Sequence, residues 1–217
     1  MKQSYFIIGT DTNVGKTYVA SLLIQQFVAA GYQTVGMKPI ASGCAFDAKG
    51  ELINDDVQAL NVASNVSAPL NLINPYHFSP AIAPHIAAEL AGISMQIELI
   101  QQAYTQLTEL AEVVIVEGAG GFFVPINATQ TLADVAVALN IPVILVVGIK
   151  LGCINHALLT VEAIQARGLT LAGWVANEIE PEMQMFEENL SSLTQRIAAP
   201  CLGVVCWQKT ANFELAN

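Results

Sequence analysis

Near the N-terminus, two glycines enclose a polar loop that ends in a lysine and a threonine: Gly9-Thr10-Asp11-Thr12-Asn13-Val14-Gly15-Lys16-Thr17. Successive backbone N–H groups and the start of a following helix can cradle phosphate. A lysine there can neutralise the β and γ phosphates, and a hydroxyl can ligate Mg²⁺. The segment therefore predicts a P-loop in which Lys16 and Thr17 have these roles. The strict pattern has glycine at Thr10, whereas Gly9 lies one place early, and the alternative is a tight strand-to-helix turn with a solvated lysine.

An acidic residue followed by glycines ends a second apolar run, in Val116-Glu117-Gly118-Ala119-Gly120-Gly121. A carboxylate at such a place is costly without a partner. Beside a P-loop strand, Glu117 is suited to binding Mg²⁺, and the glycines let the backbone approach a substrate closely. The structural alternative is that Glu117 only caps the next segment and that the glycines only form a turn.

A lysine ends a third apolar run, in Met37-Lys38-Pro39-Ile40-Ala41-Ser42-Gly43, and is one of only eight basic residues in the chain. At the catalytic edge of a sheet, Lys38 could hold a phosphate or stabilise a developing negative charge. A lysine that merely ends a strand would instead point to solvent. The nearby Asn54-Asp55-Asp56 indicates either the capped start of a helix or the source of a second Mg²⁺ ligand. The residues alone leave both choices open.

A fourth segment, Val147 to His156, leads from an apolar run into a helix whose exposed N–H groups could receive a carboxylate. Cys153 and His156 could suggest a nucleophile and its base. Because they lie three residues apart around a helix start, packing or capping explains them better. The segment therefore indicates an anion site and not a catalytic pair.

The composition excludes several functional classes. The chain has 217 residues, 53% hydrophobic and 12% charged, which fits a single domain over residues 1–217. A net charge of -10 argues against sequence-independent binding to nucleic acid and against binding to an anionic membrane surface. The longest apolar runs are about strand length, and the N-terminus lacks a signal-peptide pattern. Cys44, Cys153, Cys201 and Cys206 have no metal-ligand spacing, so free thiols in a reducing cytoplasm are expected.

The elements that must position these residues alternate along the chain. Strands are predicted at 5–8, 34–38, 113–117, 142–147, 171–176 and 202–205, and helices at 16–30, 94–110, 132–139, 154–166 and 181–196. Near-continuous Val, Ile and Leu is typical of strands that are covered on both faces. The alternation predicts an α/β fold, an open parallel sheet with helices on both faces and ligands outside the carboxyl ends of its strands. The least regular stretch, 41–84, is the natural place for loops that face a substrate.

Taken together, the ordered blocks resemble the dethiobiotin synthetase family over nearly the whole chain. The blocks are the P-loop, Lys38-Pro39 with Ser42-Gly43, Asn74-Pro75-Tyr76, Pro84-His85, Glu117 to Gly121, Lys150 to His156, and Gly173-Trp174-Val175-Ala176-Asn177. Many ATPases share a P-loop. The blocks at Lys38 and at Lys150 to His156 are much narrower signatures.

The resemblance implies a cytoplasmic homodimer of P-loop NTPase-like subunits, each with a sheet of about seven strands. It implies ATP and Mg²⁺, with 7,8-diaminononanoate and carbon dioxide as substrates and no nucleic-acid or membrane partner. Carried onto this sequence, it makes Lys16 and Lys38 catalytic, and Thr17, Asp56 and Glu117 the Mg²⁺ ligands. Asp56 is preferred over Asp55 because the family has one acid two residues after an asparagine, although a length difference in this loop leaves that choice open.

The same resemblance assigns the nucleotide and substrate contacts. The expected nucleotide site comprises Thr12, Asn13, Val14, Gly15, Lys16, Thr17, Asp56, Glu117, Gly118, Ala119, Gly120, Asn177 at the adenine, Glu178, Cys206, Trp207 and Gln208; Tyr18 stands where valine is expected. The substrate would contact Thr12, Lys38 and Ser42. Its carboxylate would meet Gly152, Cys153, Ile154 and Asn155 across the dimer interface. Two departures concern the ends of the site: Asn189 replaces a tyrosine near that carboxylate, and Cys206 replaces a proline near the adenine.

Two other classes share this architecture. A partner-controlled switch ATPase of the partition or division type typically carries an extra lysine near the start of its P-loop, and residues 9–15 contain none. Its membrane-directed members end in a basic amphipathic helix, whereas the tail 209–217 is short and poorly amphipathic. The cobyrinate amidases normally append a glutaminase domain, for which this chain has no room. The resemblance thus implies the function of an ATP-dependent cyclo-ligase that forms C–N bonds in biotin biosynthesis.

Overall fold

The computed structural model describes residues 2–46, 50, 52–181, 183–207, 209, 211 and 213–215. The strands are β1 Gln3–Gly9, β2 Thr34–Met37, β3 Ile40–Ser42, β4 Ala45–Phe46, β5 Leu52–Ile53, β6 Tyr76–Phe78, β7 Val113–Gly121, β8 Val143–Ile149, β9 Leu171–Glu178 and β10 Cys201–Val205. The helices are α1 Lys16–Ala29, α2 Asp55–Ala63, α3 Leu70–Ile73, α4 Pro84–Leu90, α5 Ile97–Leu110, α6 Leu132–Leu139, α7 Cys153–Ala166 and α8 Phe186–Arg196. Every strand and helix predicted from the sequence is present, with shifts at the ends.

The central sheet is parallel and has the strand order β10-β9-β8-β1-β7-β2. Side chains alternate across it, so Phe6 and Ile8 face one hydrophobic core while Ile7 faces the other. Helices α5, α6, α7 and α8 cover the first core, and α1 covers the second. This is the predicted P-loop NTPase-like α/β arrangement, with helices on both faces.

The expected count of about seven strands is wrong for the part of the chain that the structure describes, where the central sheet has six. The chain leaves the sheet at Pro39, which has no N–H group for the ladder. Instead, the Lys38 N–H donates to the Ile73 carbonyl, and the Pro39 carbonyl accepts from the Tyr76 N–H. As a result β3 pairs with β6 in a separate two-stranded parallel sheet.

Two helices begin later than predicted. Helix α5 was expected from Ser94, but Gln96 is extended and its N–H donates to the Tyr76 hydroxyl at 2.9 Å. Helix α8 was expected from Pro181 and begins only after Met185, which has a left-handed backbone with φ of 56°. Among the described residues, the irregular stretch 41–84 contains α2, α3, three short strands and the end of β3. Within the described ranges, no helix is both long and apolar enough to cross a membrane.

Candidate active site

A cavity of about 830 Å³ opens at the carboxyl ends of β1 and β7 and beside β3. It is lined by Thr12, Asn13, Gly15, Lys16, Thr17, Lys38, Ile40, Ser42, Asp56, Ala81, Ile82, Ala83, Pro84, Glu117, Ala119, Gly120 and Val124. Five stretches of the chain therefore meet in one cavity, and those after β1 and β7 do so because parallel strands end side by side.

The P-loop joins β1 to α1 and buries its lysine. Lys16 is 6% exposed, and its Nζ donates to the Asp11 carbonyl at 3.0 Å. The Asp11 carboxylate accepts from the Thr12 N–H at 2.7 Å and from Lys150 Nζ at 3.1 Å. Asn13 has a left-handed backbone with φ of 59°, which asparagine tolerates better than most residues. Lys16 is thus held at the cavity wall, with its ammonium on a backbone carbonyl that a phosphate could replace.

Asn177, at the end of β9, supports the loop from beneath. Its side-chain NH₂ donates to the Val14 carbonyl at 2.8 Å, and the residue is 6% exposed. Gly15 is required above it because its φ is 85° and because a Cβ there would lie 2.1 Å from Asn177 Nδ2. Within the described residues Asn177 therefore shapes the P-loop, and Val14 lies buried behind the cavity wall.

Lys38 is buried at the centre of an ionic cluster, which settles how this side chain points. Its Nζ donates to Glu117 Oε1 at 2.6 Å, to Asp56 Oδ2 at 2.7 Å and to the Gly118 carbonyl at 3.1 Å. Thr17 Oγ1 donates to the same Glu117 Oε1 at 2.8 Å. These five residues, Thr17, Lys38, Asp56, Glu117 and Gly118, are called the ionic cluster below. It links α1, the end of β2, α2 and β7.

Burial and mutual charge set the protonation of this cluster. Burial lowers the pKa of Lys16 to about 8, and repulsion by Lys38 adds to the shift. Burial also works against the charge of Lys38, but Glu117 and Asp56 outweigh it and raise the pKa of that ammonium. Burial raises the pKa of Glu117, whereas for Asp56 the effect of burial is outweighed by Lys38 and the pKa is lowered. The ammonium of Lys38 is therefore the group that keeps two carboxylates together.

The residues that face the cavity fit a bound Mg²⁺. Glu117 is fully buried, and its Oε2 has no hydrogen-bond partner among the described residues, so one carboxylate oxygen is available to a cation. The Asp56 carboxylate and the Thr17 hydroxyl lie at the same cavity. No group of three or more His, Cys, Asp or Glu side chains in the described ranges is placed to hold a metal by itself. Mg²⁺ would therefore complete its coordination with water and phosphate oxygens, as it usually does.

The helix start at Asn54 is capped, which is one of the two alternatives that the sequence left open. The Asn54 side chain caps α2 by accepting from the N–H groups of Asp56 and Val57. Asp55 is exposed to solvent, whereas Asp56 contacts Lys38 and lines the cavity. The cap thus fixes the helix that carries Asp56 into the ionic cluster.

Other predicted site residues occupy the cavity or lie outside it. Ser42 lines the cavity, and its buried hydroxyl has no hydrogen-bond partner in the described part of the chain. Glu178 lies at the end of β9 and accepts from the Trp207 N–H at 2.8 Å, while Trp207 is 41% exposed and Cys206 is half-buried. Unlike Ser42, the residues Glu178, Cys206 and Trp207 do not line the cavity. Gln208 falls outside the described residues.

The predicted carboxylate segment, 152–155, does not line the cavity. Gly152 precedes α7 with φ of 90°, Ile154 is half-buried and Asn155 is exposed. Cys153 is buried, and its Sγ lies 3.8 Å from Asn189 Oδ1. The cysteine therefore packs against α8, as the packing explanation of this residue predicts.

The sequence reasoning missed the apolar wall of the cavity, formed by Ile40, Ala81, Ile82, Ala83, Pro84 and Val124. Pro84 occupies the first turn of α4, where proline is favoured. In the sequence, the Pro84-His85 block stood out only through its resemblance to a known family. The other side chains carry no chemical signal: Ile40 lies on β3, residues 81–83 follow β6, which pairs with β3, and Val124 follows β7.

Comparison with known proteins gives the family. A family model described as an AAA domain matches residues 3–214. A protein of Nitrosospira multiformis is 50% identical over 94% of this chain and 88% of its own length. Another from Aromatoleum aromaticum is 50% identical over 94% and 90%, and one from Xanthomonas oryzae pv. oryzae is 46% identical over 96% and 92%. All three are named ATP-dependent dethiobiotin synthetase BioD. The chain belongs to the dethiobiotin synthetase family.

Solved structures outside the dethiobiotin synthetase family share the fold. A chain of the MinC:MinD cell division protein complex of Aquifex aeolicus aligns with 94% of this chain and 81% of its own, with a TM-score of 0.58 at 13% identity. Chloroplast FtsY of Physcomitrella patens aligns with 99% and 62%, with a TM-score of 0.58 at 16% identity. At these identities the likeness concerns the fold alone. The relatives at 45–50% identity are dethiobiotin synthetases, which favours the enzyme over a switch ATPase.

Proposed function

We propose that this enzyme carboxylates 7,8-diaminononanoate with carbon dioxide and closes the ureido ring of dethiobiotin, converting ATP to ADP and phosphate. The observation that carries the proposal is the cavity in which the P-loop lysine, the ionic cluster and an apolar wall face one another. The names of the relatives supply the reaction. In support of the proposal, Lys16 could bind a triphosphate, Lys38 could stabilise an anion, and the apolar wall could contact a hydrocarbon chain.

The chemistry requires no covalent nucleophile from the protein. One amine of the substrate adds to carbon dioxide and loses a proton to give a carbamate, whose oxygen attacks the γ-phosphate of ATP and expels ADP. The second amine then attacks the carbonyl of the resulting carbamic-phosphoric anhydride and expels phosphate. Holding the carbamate and the γ-phosphate in line makes the transfer unimolecular, which can lower the barrier by about 7 to 11 kcal/mol.

Lys16 and Lys38 oppose the negative charge at the reacting groups. Lys16 would exchange the Asp11 carbonyl for phosphate oxygens, since its ammonium already lies at the cavity wall. Lys38 and Ser42 would contact the diamine and its carbamate, and Thr12 lies at the same wall. Thr17, Asp56 and Glu117 would hold Mg²⁺, which when bound neutralises phosphate charge during transfer.

The nucleotide site would extend from the P-loop across the glycines after Glu117 to Asn177 and Glu178. Gly118, Ala119 and Gly120 belong to the end of β7, and Ala119 and Gly120 line the cavity, where their backbone could approach the phosphates. The adenine would lie towards Cys206, Trp207 and Gln208. The hydrogen bond from the Trp207 N–H to Glu178 ties this segment to β9 and supports that placement.

A homodimer would complete the substrate site. Leu151 is 97% exposed and Leu159 is 57% exposed, although both are apolar and both lie on or beside α7. Pairing this face between two subunits would bring the segment from Gly152 to Asn155 of one subunit to the substrate carboxylate of the other. We place the enzyme in the cytoplasm as one domain over residues 1–217, which agrees with its four unpaired cysteines.

The decisive experiment measures phosphate release from ATP with Mg²⁺ and bicarbonate, with and without 7,8-diaminononanoate, and follows dethiobiotin by mass spectrometry. The expected result is diamine-dependent release matched one for one by dethiobiotin. Release without the diamine, or without a ureido product, would contradict the proposal.

The Lys38→Gln substitution separates the role of this residue from nucleotide binding. We expect kcat to fall by about 10²-fold or more, as when a positioned charge stabiliser is removed, with a much smaller change in the Kd for ATP. Turnover and a fluorescent-nucleotide titration measure the two effects. Equal losses in both would mean that Lys38 serves only the nucleotide.

A further inference from the structure

The ionic cluster gathers around an ammonium the same side chains that would hold Mg²⁺. Lys38 Nζ lies 2.6 Å from Glu117 Oε1 and 2.7 Å from Asp56 Oδ2, while the Thr17 hydroxyl donates to that same oxygen of Glu117. Glu117 Oε2, fully buried at the cavity, has no partner within the described residues. The cluster therefore already contains one cation, and that cation is the ammonium of Lys38.

The hydrogen bonds of Lys38 are also fully used. An ammonium has three donors, and those of Lys38 go to Glu117, Asp56 and the Gly118 carbonyl. None remains for a carbamate or a phosphate. Lys38 must therefore release at least one of these partners before it can contact the substrate.

The charges around the cavity indicate what could release Lys38 from its carboxylate partners. The two ammonium groups of Lys16 and Lys38 balance the two carboxylates of Asp56 and Glu117, so the four charges sum to zero. A divalent cation arriving alone would meet two ammonium groups at close range, whereas one that arrives with a triphosphate brings compensating negative charge. Of the two carboxylates, Asp56 is the easier to detach, because its side chain is 42% exposed and that of Glu117 is fully buried.

We propose that Lys38 holds the place of the divalent cation in the nucleotide-free enzyme and is displaced towards the substrate when the cation enters with the nucleotide. The inference rests on the proposed Mg²⁺ site at Thr17, Asp56 and Glu117. It makes Lys38 a competitor of the metal before it becomes a partner of the carbamate. The lysine thereby couples assembly of the phosphate side of the site to the readiness of the substrate side.

The test compares the binding of Mn²⁺ alone to the full-length, nucleotide-free enzyme and its variants, by electron paramagnetic resonance of free Mn²⁺. Lys38→Met should bind Mn²⁺ about tenfold or more tightly than the unsubstituted enzyme, because a nearby opposite charge changes the proton affinity of a carboxylate by about one to three pK units and should act on a metal similarly. Adding Glu117→Gln should abolish the gain. Lys150→Met is the matched control. Lys150 also pairs with a carboxylate, that of Asp11, but this pair lies outside the ionic cluster. The Mn²⁺ affinity of the Lys150→Met enzyme should therefore equal that of the unsubstituted enzyme.

Unchanged affinity in Lys38→Met, or a gain that survives Glu117→Gln, would overturn the inference. Synthesis of dethiobiotin by the unsubstituted enzyme is measured on the same preparation, so failure of the proposed function is seen separately. A second measurement uses only the unsubstituted enzyme as the sample, so it does not depend on whether a variant folds. With ¹⁵N-labelled lysine, the Lys38 ammonium protons of the unsubstituted enzyme should exchange slowly and shift on saturation with Mg²⁺ and a non-hydrolysable ATP analogue. An unchanged resonance would also refute the displacement.

Discussion

The pH dependence of nucleotide binding should report directly on the buried lysine of the P-loop. Burial and the neighbouring Lys38 lower the pKa of Lys16 to about 8, and the attraction of Glu117, Asp56 and Asp11 only partly offsets them. Only the protonated lysine can neutralise a phosphate. Raising the pH through 8 should therefore weaken ATP binding, in a range where an ordinary lysine would stay charged.

The size of the effect follows from the protonated fraction of Lys16. With a pKa of about 8 in the free enzyme and a much higher one beside the triphosphate, Kd should rise about tenfold between pH 7 and pH 9, or about 1.4 kcal/mol. Because binding raises the pKa of Lys16, the complex should take up protons. The uptake should approach about half a proton per ATP at pH 8.

The assay is calorimetric titration with a non-hydrolysable ATP analogue and Mg²⁺ at pH 7, 8 and 9 and constant ionic strength. Repeating it in buffers of different ionisation enthalpy gives the proton uptake. Lys16→Arg is the matched control, since a guanidinium keeps its charge throughout this range and the Kd of that variant should stay constant. A constant Kd for the unsubstituted enzyme from pH 7 to 9, without proton uptake, would refute the reasoning.

Three other predictions concern the P-loop and the exposed face of α7. Gly15→Ala should abolish measurable ATP binding, because the added Cβ would collide with Asn177. Gly168→Ala is the control: its φ is also positive but the space around it is open, so this change should only lower the melting temperature slightly. Equal effects of the two changes on ATP binding would contradict the collision. Asn177→Ala should weaken ATP binding about 5- to 30-fold in a fluorescence titration. This is the effect of losing one buried hydrogen bond of about 1–2 kcal/mol. An unchanged Kd would mean that Asn177 does not support the P-loop. Leu151→Glu should yield monomers in analytical ultracentrifugation and raise the KM for the diamine. Val62→Glu, at another highly exposed site on α2, should change neither. A dimer that survives Leu151→Glu would place the interface elsewhere.

The sequence predicted the central sheet well because its strands are buried on both faces. Ile7 and Ile8 pack into opposite cores, so no polar side chain interrupts the run. The small sheet of β3 and β6 was not predicted. Its strands have only three residues each, and they pair because Pro39 turns the chain out of the central ladder and Asn74 then binds the Lys38 carbonyl. Such pairing depends on contacts between distant segments, which a local pattern does not reveal.

For the site, the sequence singled out Lys16, Lys38 and Glu117, which do line one cavity, but it could not orient Lys38. A lysine at the end of a strand can turn to solvent or to the interior, and its own segment does not decide between them. The choice is made by Glu117 at the end of β7 and by Asp56 at the start of α2. The apolar wall around Ile82 was missed for a related reason, since an isoleucine in a loop carries no sign of what it will face.

The strand order also governs how the protein can fold during synthesis. Strands β1 and β2 are both made early, yet neither is the other's neighbour in the central sheet, because β7 lies between them. In the register of that sheet, Val113 stands opposite both Gln3 and Thr34. Strand β7 must therefore be synthesised before either N-terminal strand can pair in the sheet, and the P-loop gains its hydrogen bond from Asn177 only once β9 has been made. We expect nascent chains that stop short of β7 to expose unpaired apolar strands, which makes them clients for chaperones.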